Sequence, residues 1–350
     1  MKPTAERHSH GSANILTTGR GGFPFQPRNA EKGFPMTQVP GRRRGLSQRR
    51  SKHGGHLITV YLRGRLGNIL FQYAAGRALA IRNRTRLRLD LSNYDLTKRG
   101  AYRDAIATLE RNFSLEAEIV QRSVPVTFVL KVARRLGVGP LSNRAMTFRE
   151  DVEQCGFEPR VLSLHEGARL VGYFQSERYF ADVAPAIRKE LAFRGTLPAP
   201  AARVAEEIGA CESVGVHVRR GDYIHSKRLA FVGSGYYIEA FRRMGENLGN
   251  PRFFVFSDDM PWCRENLRRD EIVHVEAASP DGDPLVDMRL MSLCRHNVIA
   301  NSSFSWWAAW LNANPGKTVV APENWFKEPG KNTRSVEAVI PERWIRIAPQ

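Results

Sequence analysis

Two adjacent arginines followed at once by a glycine and an aspartate, Arg219-Arg220-Gly221-Asp222, carry the most distinctive chemistry in this 350-residue sequence. They follow the apolar, branched run Val214-Gly215-Val216-His217-Val218, which reads as a buried strand. In open parallel sheets ligands lie beyond the carboxyl ends of strands, so these charges fall where a ligand would be held. Two guanidiniums at a strand end are costly to desolvate unless an anion or a carboxylate neutralises them. A diphosphate meets that requirement, because a guanidinium fork grips two phosphate oxygens and stabilises the charge that grows as a diphosphate departs. An internal salt bridge between Arg220 and Asp222 meets it equally well.

Two further strand ends carry polar groups. Phe253-Phe254-Val255-Phe256 runs into Ser257-Asp258-Asp259 and then Trp262. An aspartate there can accept from the ring N–H and exocyclic amine of a guanine, or can cap the next helix. Val298-Ile299-Ala300 runs into Asn301-Ser302-Ser303-Phe304-Ser305-Trp306-Trp307; Ser303 and Ser305 open a helix whose start could cradle a phosphate. The alternative is an ordinary cap with Trp306 and Trp307 in the core. Gly64-Arg65-Leu66-Gly67-Asn68 joins the strand-like Leu57–Leu62 to an amphipathic stretch, Leu70–Ile81, and its glycines let backbone approach a ligand closely. It does not have the Gly-x-Gly-x-x-Gly spacing. Asp281-Gly282-Asp283 has the Asp-x-Asp spacing that holds a divalent cation beside a departing diphosphate. Its setting between Pro280 and Pro284 reads as a solvated turn, and the arginines already supply positive charge.

The elements that must position these residues alternate. Strand-like segments at 214–218, 253–257, 272–275, 298–300 and 318–321 are separated by helix-length segments, which argues for a parallel sheet covered by helices. Leu57–Leu62 opens an earlier series, and Leu197-Pro198-Ala199-Pro200-Ala201-Ala202 reads as the junction. The expected organisation is a disordered basic tail (1–56), an amino-terminal α/β domain (57–200) and a carboxyl-terminal α/β domain (201–350). Of the net charge of +18, nine units lie before residue 57, where eleven basic residues face only Glu6 and Glu31. Four scattered cysteines, Cys155, Cys211, Cys263 and Cys294, form neither a zinc motif nor a disulfide framework, and suit a reducing compartment. No apolar run reaches the roughly 20 residues that span a bilayer; the best, Val124–Val132, is broken by Lys131. The amino terminus has no apolar signal-peptide centre.

Five blocks in order, Gly64–Gly76 (GRLGNILFQYAAG), Gly172–Phe180 (GYFQSERYF), His217–Tyr223 (HVRRGDY), Phe256–Cys263 (FSDDMPWC) and Met291–Leu311 (MSLCRHNVIANSSFSWWAAWL), resemble the α-1,2-fucosyltransferases of glycosyltransferase family 11. The resemblance covers about residues 57–345 and leaves the basic tail outside. It implies an α/β, GT-B-like architecture, two Rossmann-type domains facing across a cleft, with GDP-fucose on the second domain and the acceptor on the first. It implies transfer of L-fucose from GDP-β-L-fucose to the 2-hydroxyl of a galactose-containing glycan with inversion, and no obligatory metal or other cofactor. Carried over by motif, Arg219 holds the diphosphate with His217 and Arg220 in support, and Asp258 or Asp259 recognises guanine. Ser303 and Ser305 stand near the phosphates, and Gly67 and Asn68 lie in the donor-side glycine block. Asp222 is either the catalytic base or a brace for the arginines. Ile69-Leu70 departs from the Gln-Met of many members. An α-1,6 or protein O-fucosyltransferase shares the arginine motif, but GYFQSERYF and SSFSWW favour the α-1,2 family. The remaining positive charge is spread over a long chain and suits an anionic donor, so no nucleic-acid partner is expected for the folded region. A bacterial-type cytoplasmic enzyme, peripheral to the inner membrane face, fits the missing anchor.

Overall fold

A computed structural model describes residues 57–91, 99–120, 147–151, 156–226, 229–230, 232–276, 278–279, 281–328 and 336–348. The basic segment 1–56, the apolar run Val124–Val132 and Cys155 lie outside the described residues; Cys211, Cys263 and Cys294 are free thiols. Strands β1 (Ile58–Tyr61), β2 (Leu87–Asp90), β3 (Glu118–Val120), β4 (Thr147–Arg149) and β5 (Arg169–Val171) form one sheet in the order β3-β2-β1-β5-β4. Strands β6 (Ser213–Val218), β7 (Arg252–Ser257), β8 (Ile272–His274), β9 (His296–Val298), β10 (Val319–Pro322) and β11 (Ile345–Ile347) form a second in the order β11-β10-β9-β6-β7-β8. Every pairing in both is parallel. Parallel strands are covered on both faces and therefore read as continuous apolar runs, as β6 does with all its residues buried. The result is two parallel-sheet α/β domains, the GT-B-like layout that the resemblance implies.

The helices between strands are α1 (Leu66–Arg82), α2 (Arg99–Asn112), α3 (Ala184–Glu190), α4 (Ala199–Gly209), the single turn α5 (Gly221–Ile224), α6 (Ser234–Asn247), α7 (Met260–Asn266), α8 (Pro284–Leu293) and α9 (Ser303–Leu311). Helix α1 buries thirteen of its seventeen residues, which requires cover on more than one side. Part of that cover is α9, which buries six of its nine residues. Phe71 of α1 lies 4.4 Å from Trp306 and 5.1 Å from Trp307 between ring centroids, and Phe180 stacks on Trp307 at 5.6 Å. The two tryptophans are core residues, as the sequence suggested, and Trp306 Nε1 donates to the Val339 carbonyl at 2.7 Å. This aromatic seam joins the two sheets and fixes the starts of α1 and α9 against each other. Among the described residues, no helix is long and apolar enough to cross a membrane.

Two elements lie two residues or more from the sequence reading, and the others within one. Helix α1 starts at Leu66 rather than Leu70, because Gly67 lies inside its first turn. Strand β9 starts at His296 rather than Val298. Its polar residues are buried but satisfied: His296 Nε2 is 2.6 Å from Glu212 and its Nδ1 accepts from the Thr318 N–H at 3.0 Å, while Asn297 bonds the Met291 carbonyl and Asn312.

Candidate active site

Each sheet has one point at which the strand order reverses, and ligands bind in the crevice that opens there at the carboxyl ends. In the second sheet β7 and β8 lie on one side of β6 while β9, β10 and β11 lie on the other. The reversal is between β6, which ends in Arg219-Arg220, and β9, which leads into Asn301-Ser302-Ser303. Arg219 reaches Asp222 Oδ1 from Nε at 3.1 Å and from Nη2 at 2.5 Å, and its Nη1 lies 3.1 Å from Asp258 Oδ2. Arg220 donates its backbone N–H to Asp258 Oδ1 and its Nε to Asp259 Oδ2, both at 2.9 Å, with its guanidinium 4.0 Å above the Trp262 ring. The salt bridge anticipated between Arg220 and Asp222 is therefore exchanged by one residue. The turn α5 brings Asp222 under Arg219, three positions earlier, as helical spacing requires.

The aspartates after β7 are both engaged. Asp259 Oδ1 accepts from the Trp262 N–H at 3.2 Å and caps α7, and the Arg220 bond holds its carboxyl below the usual range. Asp258 bridges the two arginines, and Gly221 gives it room, since a Cβ there would lie 2.4 Å from Asp258 Oδ2 and push the carboxylate aside. His217 is buried, its ring centroid 5.6 Å from that of Phe304, and its Nδ1 has no partner among the described residues. Burial, reinforced by the neighbouring Arg219 charge, pushes its pKa down to about 3, so the imidazole is neutral.

The first sheet contributes from the opposite side. The turn after β1 passes through Gly64 at φ +83, and Arg65 extends across to Asp222, Nη1 to Oδ2 at 3.2 Å. Gly67 meets the other helix start directly: a Cβ at this position would lie 2.6 Å from the Ser303 carbonyl carbon and 2.7 Å from the Phe304 nitrogen. Asn68 Oδ1 accepts from Gln175 Nε2 at 2.6 Å. Ser303 stands at the first position of α9, whereas Ser305 is fully buried and its hydroxyl donates to the Ala300 and Ser302 carbonyls at 3.4 and 3.2 Å. Asn301, behind them, donates from Nδ2 to the Ala230 and Trp325 carbonyls at 2.9 and 3.0 Å, tying two loops to the end of β9.

The starts of α1 and α9 thus converge with Arg65, Arg219 and Arg220, whose charges are matched by Asp222, Asp258 and Asp259. Guanidiniums gathered in such a cluster present N–H donors that can also take phosphate oxygens. Away from it, Asp283 caps α8 through Leu285 N–H, and its other oxygen receives Arg111 and Asn112 at 3.1 and 3.3 Å. Sequence reasoning named Arg219, Arg220, Asp222, Asp258, Asp259, Gly67, Asn68 and Ser303, which the fold gathers at these strand ends. It did not single out Arg65, although that residue lies inside the glycine block, nor Gln175 and Asn301.

Residues 162–348, just over half of the chain, match the profile of glycosyl transferase family 11. The chain belongs to this family. An α-1,2-colitosyltransferase of Escherichia coli is 30% identical over 302 residues, which cover 83% of this chain and 99% of that protein. Galactoside 2-α-L-fucosyltransferase SEC1 of Bos taurus is 37% identical over 144 residues, 39% of this chain and 38% of that protein. Among solved structures, the NodZ α-1,6-fucosyltransferase co-crystallized with GDP is similar with a TM-score of 0.45 and 17% identity over 72% of this chain and 91% of that one.

Proposed function

We propose that this family 11 glycosyltransferase moves L-fucose from GDP-β-L-fucose to the 2-hydroxyl of a galactoside, with inversion to an α linkage. The observation that carries the reading is Arg219. Its guanidinium stands at the β6–β9 reversal, bonded to Asp222 and Asp258, with the start of α9 opposite. An entering diphosphate binds beside these carboxylates, which keep the guanidinium aimed at it. As the bond to the sugar lengthens, charge builds on the β-phosphate, and these fixed donors stabilise it without reorganisation. The arginines and helix starts supply the positive charge that a cation would bring elsewhere, so transfer should continue in excess EDTA. Asp258 and Asp259 have lone pairs left for a guanine edge. Asp222, gripped by Arg219 and Arg65, acts as a brace.

Both named relatives act at a 2-position by their names, which supports the linkage more firmly than the sugar. A second reading is therefore colitosyl transfer, favoured by the relative that this chain matches over nearly its whole length. Parallel assays with GDP-fucose and with nucleotide-linked colitose separate the two. Replacing Arg219 with Ala should lower kcat by about 10³-fold or more, as loss of a charge-stabilising group at a leaving phosphate does. Turnover within a few-fold of the parent in a folded variant would overturn the assignment.

A further inference from the structure

The start of α9 lies at the donor site, and its other end carries a second group of cations that the transfer reading leaves unused. We propose that Arg188, with Arg343 and Lys317 beside it, forms a second anion site that takes a phosphate-bearing ligand at the carboxyl end of α9. Arg188 stands on α3, where the positions one turn away, Ala184, Pro185, Leu191 and Ala192, offer no carboxylate. Its guanidinium lies 4.0 Å from the Trp310 ring centroid, and it makes no hydrogen bond or ion pair among the described residues. Arg77, Arg219 and Arg220, likewise partly buried, are each bonded to a carboxylate. Stacking occupies the flat face of a guanidinium and leaves the N–H groups at its rim directed outward, in the geometry that grips an oxyanion.

The groups around Arg188 add positive charge rather than cancel it. Trp310 Nε1 donates to Glu177 Oε2 at 3.3 Å, and the same carboxylate takes Arg343 Nη1 and Nη2 at 2.5 and 2.8 Å. Glu177 is thereby spent on Arg343, whose side chain is 52% exposed. Asp182 and Glu342, close in sequence to this group, are paired with Arg82 and Arg178. Lys317 Nζ donates to the Ala309, Trp310 and Asn312 carbonyls at 2.7, 3.4 and 2.6 Å, and so offsets the negative helix end that would repel an anion. Burial, followed by the Arg343 charge, holds the Arg188 guanidinium below its ordinary value, with Glu177 pulling the other way. Burial and the Arg188 and Arg343 charges likewise lower Lys317 to about 7. Three cations thus crowd one carboxylate, an imbalance that a bound anion relieves. The nine residues of α9 set this end roughly 13 Å along the helix from Ser303.

The test is calorimetric titration of the full chain with inorganic pyrophosphate, at an ionic strength fixed with sodium chloride. The parent should show two binding events. Arg219→Ala should weaken the donor-site event and Arg188→Gln the other, each by about ten-fold or more, the loss of one charge-assisted contact. The GDP Kd of Arg188→Gln should stay within about two-fold of the parent, and Arg188→Lys, which keeps the charge, should recover part of the second event. A single event in the parent that Arg219→Ala abolishes, or two events undiminished in Arg188→Gln, would overturn the site. Two events that survive in Arg219→Ala, with one lost in Arg188→Gln, would support this site and count against the donor assignment instead. Sedimentation with phosphatidylglycerol and phosphatidylcholine vesicles separates the sources of the phosphate. Capture by the former that depends on Arg188 assigns a lipid headgroup, and pyrophosphate binding without such capture assigns a soluble phosphate.

Discussion

Substitution of Gly67 by alanine tests whether the meeting of the two helix starts belongs to the active site or merely to the core. The added carbon would lie 2.6 Å from the Ser303 carbonyl carbon and 2.7 Å from both the Phe304 nitrogen and Ser303 Oγ. Two of these are backbone atoms, so no rotamer change relieves the clash. Carbon contacts are comfortable near 3.5 Å, and the starts of α1 and α9 must part by roughly 1 Å. Overpacking of this kind costs about 1–3 kcal/mol, offset by about 0.4–1 kcal/mol from the stiffer unfolded chain, for a net loss of about 1–2 kcal/mol. A displacement of about 1 Å among groups that must converge on one diphosphate lowers kcat/KM by about 10²-fold. The control is Gly76→Ala, where the new Cβ meets the side chains of Val60 and Leu87 in the core of the first domain. Guanidinium denaturation and transfer kinetics on both variants separate the effects. Both should lose stability, and only Gly67→Ala should lose catalysis. Equal kcat/KM in the two would refute the claim that this contact shapes the donor site.

Asp222→Asn keeps shape but removes the charge that Arg65 and Arg219 share. The brace role predicts a fall in kcat/KM of about ten-fold, the size of one weakened charge-assisted contact, with the acidic limb of the pH–rate profile intact. Loss of that limb would make Asp222 the base instead. His217 is neutral in the fold down to about pH 3, whereas the unfolded imidazole takes up its proton near about pH 6.5. Between these values the unfolded chain binds more protons, so His217 contributes stability that is complete above about pH 6.5 and is lost as pH falls, at up to about 1.4 kcal/mol per unit. Acid denaturation of His217→Gln should show a shallower slope over that window, and an unchanged slope would contradict the burial argument.

The second domain was more legible than the first, for a physical reason. Strands β6, β7 and β10 are buried on both faces and read as apolar runs, and the charges that follow β6 and β7 stand out against them. In the first domain β2 carries Arg88, paired with Glu118 on β3, and β3, β4 and β5 are three residues each, too short to show a period. Strand β9 opens with His296 and Asn297, polar residues satisfied by Glu212, Thr318, Met291 and Asn312, and nothing in their type marks a buried strand start. The site was legible where a motif is local, as in Arg219 to Asp222. It was hidden where a contact closes between domains: Arg65 meets Asp222 only because α1 packs on α9. Gln175 meets Asn68 only because β1 and β5 are neighbours despite the long stretch of chain between them. The register of the arginine pairs, Arg219 with Asp222 and Arg220 with Asp259, depends on one helical turn that spacing alone left open.

Transfer to a defined hydroxyl is read out by linkage analysis of the product formed from GDP-fucose and phenyl β-D-galactopyranoside, with the 2-deoxy galactoside alongside. A single α-1,2-linked fucoside and no product from the 2-deoxy acceptor are expected. Fucosylation at any other position, or equal transfer to the 2-deoxy compound, would contradict it.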